Sequence, residues 1–523
     1  MPRIPEQFNI AEWFVERPAQ AHPARVAIAS EPAPFTYAAL RELAARAGGA
    51  LAAAGCARGD RVLIALPDSA EFIAAFFGAA RIGALAVPVN PFSRSADFSY
   101  YLSDSSPALA IVHAGILPEF LQAHWRPERT IVAGAGAEAR GRGPMRTWDE
   151  WVGEAAGESP PAPTSFTDPA FFLYTSGSTG GPKAAVHRHG DMLATFETFA
   201  RGVLGASEQD RTLSVSKLFF AYGLGNGMYF PLGAGATTIL NPDKPRPDKV
   251  LELVAKHRPT LFFTVPTFYA ALLREAEQGA AADFSSVRVA VSAGEALPVE
   301  IFEQFKRRFG LEILDAIGST EMLHMFISSV PGRIRPGSCG FPLPGYEAAI
   351  VDEGGRIVPQ GQTGNLWVRG PSAFSEYWGK PEKTQAARAG EWVVTGDKFY
   401  CDPDGYYFYC GRSDDMMKVA GMWVAPGEVE NALLAHPAVA EAAAVGREVD
   451  GLTRLVGVVV LRHGAAAGPA LEDELRQFVR ARLTAYKAPQ QIVFAAELPK
   501  TATGKIQRFR LRQTIAGEEA SRG

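Results

Sequence analysis

The chain is short of the features that announce many common functions. Only 4 of its 523 residues are cysteine. Cys56, Cys339, Cys401 and Cys410 lie far apart, with none of the close spacings that hold zinc or an iron–sulfur cluster. They read as buried free thiols in a reducing compartment, and the expected location is the cytoplasm. An excess of one charge is lacking too. Lys and Arg number 52 against 56 Asp and Glu, a formal net charge of -4. No nucleic-acid partner is expected from that balance, although local basic clefts for anionic ligands remain open. No apolar run reaches the roughly 20 residues of a membrane-spanning helix. The longest enriched stretch, residues 72–89, is broken by Arg81 and several glycines, and reads as a helix followed by a buried strand. Near the start, Glu6, Glu12, Glu16 and Arg17 interrupt any signal-peptide core. Neither a leader nor a membrane partner is expected.

What is present is the balance of a globular protein, 47% hydrophobic and 21% charged, at a length that calls for more than one folding unit. Residues 36–54 are Ala/Leu-rich and amphipathic, with Thr36 placed to cap a helix. The run RVLIAL at 61–66 suits a strand buried on both faces, 69–81 a helix and 84–89 another strand. The alternation recurs at 261–265, 266–276, 287–292 and 299–308. It predicts two parallel sheets wound with helices. Residues 139–163, rich in Gly, Pro, Ala and Glu, read as a loop. After about Gly332, glycine-punctuated short runs predict antiparallel structure. After Asp415 the pattern changes again, with helices expected at 428–435 and 471–483 and a strand at 455–461. A linker is placed near 412–415.

The most informative segment is YTSGSTGGPK, residues 174–183. A strand candidate, AFFLY at 170–174, runs into Thr175, Ser176, Gly177, Ser178, Thr179, Gly180, Gly181, Pro182 and Lys183. Glycines let backbone N–H groups approach an anion, four hydroxyls add donors, and a lysine adds a mobile positive charge. The segment is a phosphate loop, yet it is not a Walker A loop. Pro182 stands where that motif has glycine before its lysine, and Ala184 where it has the Mg²⁺-ligating hydroxyl.

This loop resembles the first signature of the adenylate-forming superfamily of acyl-CoA synthetases, peptide-synthetase adenylation domains and luciferases. The resemblance spans essentially the whole chain, with the motifs in family order. It implies an α/β fold: a large N-terminal domain of two wound sheets plus a β-barrel (1–413), and a small mobile α+β C-terminal domain (414–523). In VSAGEALP, residues 291–298, it implies that Ala293, Gly294 and Glu295 line the adenine site. In AIGSTE, residues 316–321, Gly318 and Ser319 would face nucleotide, Thr320 would contact phosphate and Glu321 would hold Mg²⁺, a hard cation suited to a carboxylate and phosphate oxygens. Asp397 of the TGD element would bind both ribose hydroxyls, helped by Arg412. Asp414 would be the hinge, Gly421 would let a pantetheine arm pass, and Lys505 of PKTATGKIQR would be the catalytic lysine.

The implied reaction uses ATP to make an acyl-adenylate and then a thioester. The segments KLFFAYGLGN (217–226) and IGSTEMLHMF (317–326) look like the benzoate-CoA ligase branch. Phe220, Ala221, Tyr222, Gly223, Ile317, Gly318 and His324 are the candidate acid pocket. Aromatic residues spaced by small ones suit a flat ring, and core packing explains part of Phe219 and Phe220. The expected substrate is benzoate or an amino- or hydroxybenzoate, with a cinnamate-type acid as the alternative. Coenzyme A is the expected acceptor and a carrier protein the alternative. Association into a homodimer is left open. A luciferase-like oxygenase and a nucleotide-binding regulator are the rival classes; the intact Lys183, Glu321, Asp397 and Lys505 weigh against the second.

Overall fold

The computed structural model describes residues 7–29, 33–124, 127–134, 145–155, 160–175, 181–413, 415–419, 422–449, 452–500 and 506–520. Continuous apolar runs become central parallel strands, as a strand buried on both faces requires. In one sheet Arg61–Ala65 lies between Leu85–Pro88 and Leu109–His113, all parallel. Thr130–Ala133 and Arg146–Thr147 extend one side and Pro169–Thr175 the other. Lys183–Arg188 then returns antiparallel to Pro169–Thr175, and Glu376–Tyr377 closes that edge. A second sheet of nine strands has Arg211–Ser214, Leu261–Thr264, Val289–Ala293 and Ile313–Gly318 as parallel neighbours, with antiparallel strands at both ends.

Helices pack the sheets together where the sequence period predicts them. Thr36 caps the helix Tyr37–Ala53 by accepting from the Ala39 N–H at 3.1 Å, and Ser69 caps Ala70–Arg81 through the Phe72 N–H at 3.2 Å. The main core runs between the sheets, with Phe14, Phe72, Phe76, Phe77, Phe196 and Tyr229 fully buried in it. The expectation of a loop over 139–163 fails in part. Thr147 caps a helix, Trp148–Gly153, that buries Trp148, Trp151 and Val152. Those three sit at i, i+3 and i+4, one face of a helix, and their burial outweighs the turn-rich flanks.

The expected barrel is an antiparallel sheet of Glu347–Val351, Gly364–Arg369, Trp392–Cys401, Arg388–Ala389 and Tyr407–Arg412. Its pairing does not close into a ring, so it is a half-barrel. Beyond it, Val439–Val449, Leu452–Leu461 and Gln491–Phe494 form a small sheet. The helices Pro426–Leu434 and Pro469–Arg480 pack with one face of that sheet and Arg508–Ala520 with the other. Met417–Val419 and Met422–Val424, on either side of Gly421, pair antiparallel. Among the described residues no helix is long and apolar enough to cross a membrane.

Candidate active site

Thr175 and Lys183 face each other as the last pair of an antiparallel hairpin. The segment expected to bind phosphate therefore lies between two paired strands, whereas a Walker A loop opens a helix. Ser176, Gly177, Ser178, Thr179 and Gly180 lie outside the described residues, as do Asp414, Gly421 and Lys505.

Lys183 reaches across the hairpin to a group 138 residues away in sequence. Its Nζ stands 3.8 Å from Glu321 Oε1 and donates to the Tyr377 hydroxyl at 2.6 Å. Tyr377 in turn donates to Glu321 Oε1 at 2.5 Å. Burial pulls the Lys183 ammonium down, and the Glu321 carboxylate opposes it. Thr320 and Glu321 form a short turn after the strand Ile313–Gly318. The turn is held from behind by buried His187, whose Nε2 lies 2.7 Å from the Thr320 carbonyl while its Nδ1 meets Asp191 at 3.0 Å. The Phe374 N–H donates to the Glu321 carbonyl at 2.7 Å.

Gly294 follows the strand Val289–Ala293 with φ +94°, a conformation only glycine adopts cheaply, and turns the chain toward the helix Val299–Phe309. Glu295 accepts from the Ile506 N–H at 2.8 Å. The C-terminal unit thus touches the large one at the proposed adenine segment, one residue beyond Lys505. Asp397 and Arg412 are register partners on adjacent strands, 3.2 Å apart. The buried Asp397 is fixed further by its own N–H on Thr395 Oγ1 at 3.1 Å.

The acid-pocket candidates also converge. The segment bearing Phe220 and Tyr222 is anchored by Lys217, 3.5 Å from buried Asp68, whose Oδ1 accepts the Leu218 N–H at 2.9 Å. Phe219 is buried core, whereas Phe220, Ala221 and Tyr222 remain partly open beside it. Gly223 answers to backbone rather than to a ligand: a Cβ there would sit 2.0 Å from the Lys217 carbonyl oxygen. Gly318 is likewise pressed on the His324 carbonyl, at 2.5 Å for an added Cβ, and Ile317 precedes it on the same strand.

His324 is buried between Phe199, Tyr222 and Phe230, with ring centroids at 5.2, 5.8 and 4.5 Å. Burial pushes its imidazole down to about 3, so the ring is neutral. Neither ring nitrogen makes a well-formed hydrogen bond among the described residues; the Tyr222 carbonyl is the polar group that acts on it. The chain enters His324 through Leu323 at φ +63° and ψ -42°, with the His324 N–H on the Met322 carbonyl at 2.7 Å. That is a γ-turn of the strained kind, and here a buried leucine pays its conformational cost.

Three residues escaped the sequence reading. Tyr377 and His187 carry no motif of their own. Asp315 sits inside a strand where a carboxylate is out of place, which was the available signal. It aligns with Ser292 and Thr264 across neighbouring strands, and each of the three has a buried oxygen with no hydrogen-bond partner among the described residues. Burial pushes the Asp315 carboxyl up to about 8, against the Leu297 N–H and the Cys339 thiol that face it. Burial also raises all four thiols, Cys56 and Cys410 to about 11, so none is poised as a nucleophile.

The chain matches two family models, AMP-binding enzyme over residues 15–378 and AMP-binding enzyme C-terminal domain over residues 428–505. It is 42% identical over 517 residues to the benzoate–CoA ligase of Thauera aromatica, covering 98% of this chain and 97% of that one. A benzoate CoA ligase from Burkholderia xenovorans LB400, solved by crystallography, superposes with a TM-score of 0.90 at 40% identity over 97% of this chain and 100% of that one. The anthranilate CoA ligase AuaEII, crystallised with anthranoyl-AMP, gives 0.94 at 37% identity over 99% of both chains. These likenesses bear out the α/β architecture of a large unit and a smaller C-terminal one.

Proposed function

We infer the reaction from membership: this chain belongs to the AMP-binding enzyme family, and it is an aryl-acid:CoA ligase that works through an acyl-adenylate. In the first half, the acid's carboxylate oxygen attacks the α-phosphorus of ATP and pyrophosphate leaves. In the second, the sulfur of coenzyme A attacks the acyl carbon, the thiol loses its proton, and AMP leaves with the bonding pair. The protein supplies no nucleophile, so its contribution is positioning and charge.

The roles we assign follow the geometry. Thr175, the hydroxyl-glycine loop and Lys183 take the phosphates. Asp397 and Arg412 take the ribose, and Ala293, Gly294 and Glu295 the adenine, whose exocyclic amino group suits the unpartnered oxygen of Asp315. Glu321 suits Mg²⁺: one partly exposed carboxylate beside the phosphate hairpin is the donor set of an ion that keeps its waters and shares phosphate oxygens. Bound there, Mg²⁺ supplies positive charge to the phosphates. Lys505 is assigned to the acid carboxylate and α-phosphate, Asp414 to the hinge between units 1–413 and 414–523, and Gly421 to the pantetheine path. The free thiols suit a reducing compartment, and the cytoplasm is the proposed location.

For the acid we propose benzoate or an amino- or hydroxybenzoate, with coenzyme A rather than a carrier protein as acceptor. The observation that carries the aryl assignment is the neutral, buried His324 among aromatic rings, with Phe220, Ala221 and Tyr222 opening beside it. A buried aromatic wall suits a flat ring, and ring nitrogens without a well-formed hydrogen bond suit a polar substituent. The test is pyrophosphate release and aryl-CoA formation with benzoate and its 2-, 3- and 4-amino and hydroxy forms. Release with at least one benzoate is expected. No release with any of them, alongside turnover of a cinnamate or an aliphatic acid, sinks the aryl assignment.

A further inference from the structure

Tyr377 occupies an unusual position between two opposite charges. Its hydroxyl accepts from Lys183 at 2.6 Å and donates to Glu321 at 2.5 Å, while the ammonium and the carboxylate themselves stay 3.8 Å apart. The ring is almost fully buried, 1% exposed, and the Lys183 ammonium also lies over its face, 4.0 Å from the centroid. The hydroxyl has little freedom to leave. Tyr377 pairs with Ala185 on the strand that begins at Lys183, its N–H donates to Thr384 Oγ1 at 2.9 Å, and its ring packs on Phe374 at 4.7 Å. Phe374 holds the Glu321 carbonyl. One short segment, Phe374–Tyr377, therefore fixes the lysine strand, the glutamate backbone and both side-chain heads.

A lysine and a glutamate this close in a half-buried site would close into a direct ion pair if nothing stood between them. Each would then be neutralised by the other, and neither would be free for a phosphate or a cation. We propose that Tyr377 is a positioning residue that keeps Lys183 and Glu321 apart and aimed, so that the ammonium serves the phosphates and the carboxylate keeps an oxygen for Mg²⁺. The inference rests on the proposed roles of Lys183 and Glu321 in MgATP binding. The hydroxyl satisfies each charge by one hydrogen bond, which a binding nucleotide can exchange for its own.

Tyr377→Phe tests this, because it keeps the buried ring and removes only the bridge. ATP affinity is measured by calorimetry with Mg²⁺ and again with EDTA, on the full chain. The wild type is expected to bind more tightly with Mg²⁺, and the variant to lose roughly ten- to a hundredfold of that Mg²⁺-linked gain, the size of a charged hydrogen bond. Acid-dependent pyrophosphate release is expected to show a raised Mg²⁺ requirement. Thioester formation from supplied acyl-adenylate, which needs neither phosphate chain nor Mg²⁺, is expected within about twofold of wild type. An unchanged Mg²⁺-linked gain in the variant overturns the proposal, as does an equal fall in both half-reactions. A wild type that releases no pyrophosphate with any acid overturns the proposed function instead, so the two failures are separable.

Discussion

At the proposed phosphate end of the site, Lys183, Tyr377 and Glu321 satisfy one another within 3.8 Å, and Asp397 and Arg412 do the same at 3.2 Å. At the proposed acid end, His324 lies buried among Phe199, Tyr222 and Phe230 with both ring nitrogens short of a well-formed hydrogen bond. The first region stores charge in exchangeable pairs. The second stores unmet hydrogen-bonding capacity in a buried aromatic wall. A triphosphate brings charge and water with it, and paired charges can be traded for its own at low cost. An aromatic acid brings little, so a site that recognises it must leave something unpaid until it arrives.

That contrast can be broken at either end. The largest effect is expected for Lys505→Ala, which removes the cation we assign to the reacting carboxylate and α-phosphate. Adenylation, read as acid-dependent pyrophosphate release, should fall by about a hundredfold or more, with thioester formation from supplied acyl-adenylate largely spared. Equal losses in both halves would refute the role. A smaller effect is expected for His324→Ala. Opening the wall should raise the KM for the acid by about tenfold while the KM for ATP stays within twofold. If the KM for ATP moves as much as that for the acid, the two regions are not separate in function.

The smallest effect on turnover is expected for Asp315→Asn, whose signature is in stability. Between its ordinary value near 4 and about 8, the folded acid keeps a proton that the unfolded chain has lost. Wild-type stability from this group therefore falls as pH rises through that window, and asparagine removes the dependence. The variant's melting temperature should gain on wild type by a few degrees between pH 5 and pH 7.5. Buried His189 and His324, pushed down to about 4 and 3, act in the opposite direction: they favour the fold above the ordinary histidine range and weaken it as pH drops below about 6.5. A variant whose advantage shrinks with rising pH would show that Asp315 is ionised in the fold.

Much of this was legible in the residues themselves. Parallel strands such as Arg61–Ala65 and Leu261–Thr264 announced themselves by continuous apolar runs, and Thr36 announced its helix by a cap. The expectation of a phosphate loop at 174–183 rests on glycine, hydroxyl and lysine in an order that has few other uses. What remained hidden depends on distance along the chain. Nothing near Tyr377 says that it will stand between residues 183 and 321. Nothing at Gly223 distinguishes a residue kept small for a substrate from one kept small for the Lys217 carbonyl, which only packing reveals. The helix Trp148–Gly153 was missed because one buried face of three residues is too short a periodic signal among glycines and prolines.

Leu323 turns the chain so sharply that Glu321 and His324 are separated by two residues with almost no slack. If the proposed roles hold, the aromatic wall at His324 and the carboxylate of Glu321 are two marks on one stiff gauge. On that reading, an acid whose ring stops short of the wall would present its carboxylate at the wrong depth, and one that is too long would overshoot. Length would then be read in the rate of adenylation more than in the strength of binding, and an ill-fitting acid would occupy the site as an inhibitor rather than pass through it as a poor substrate.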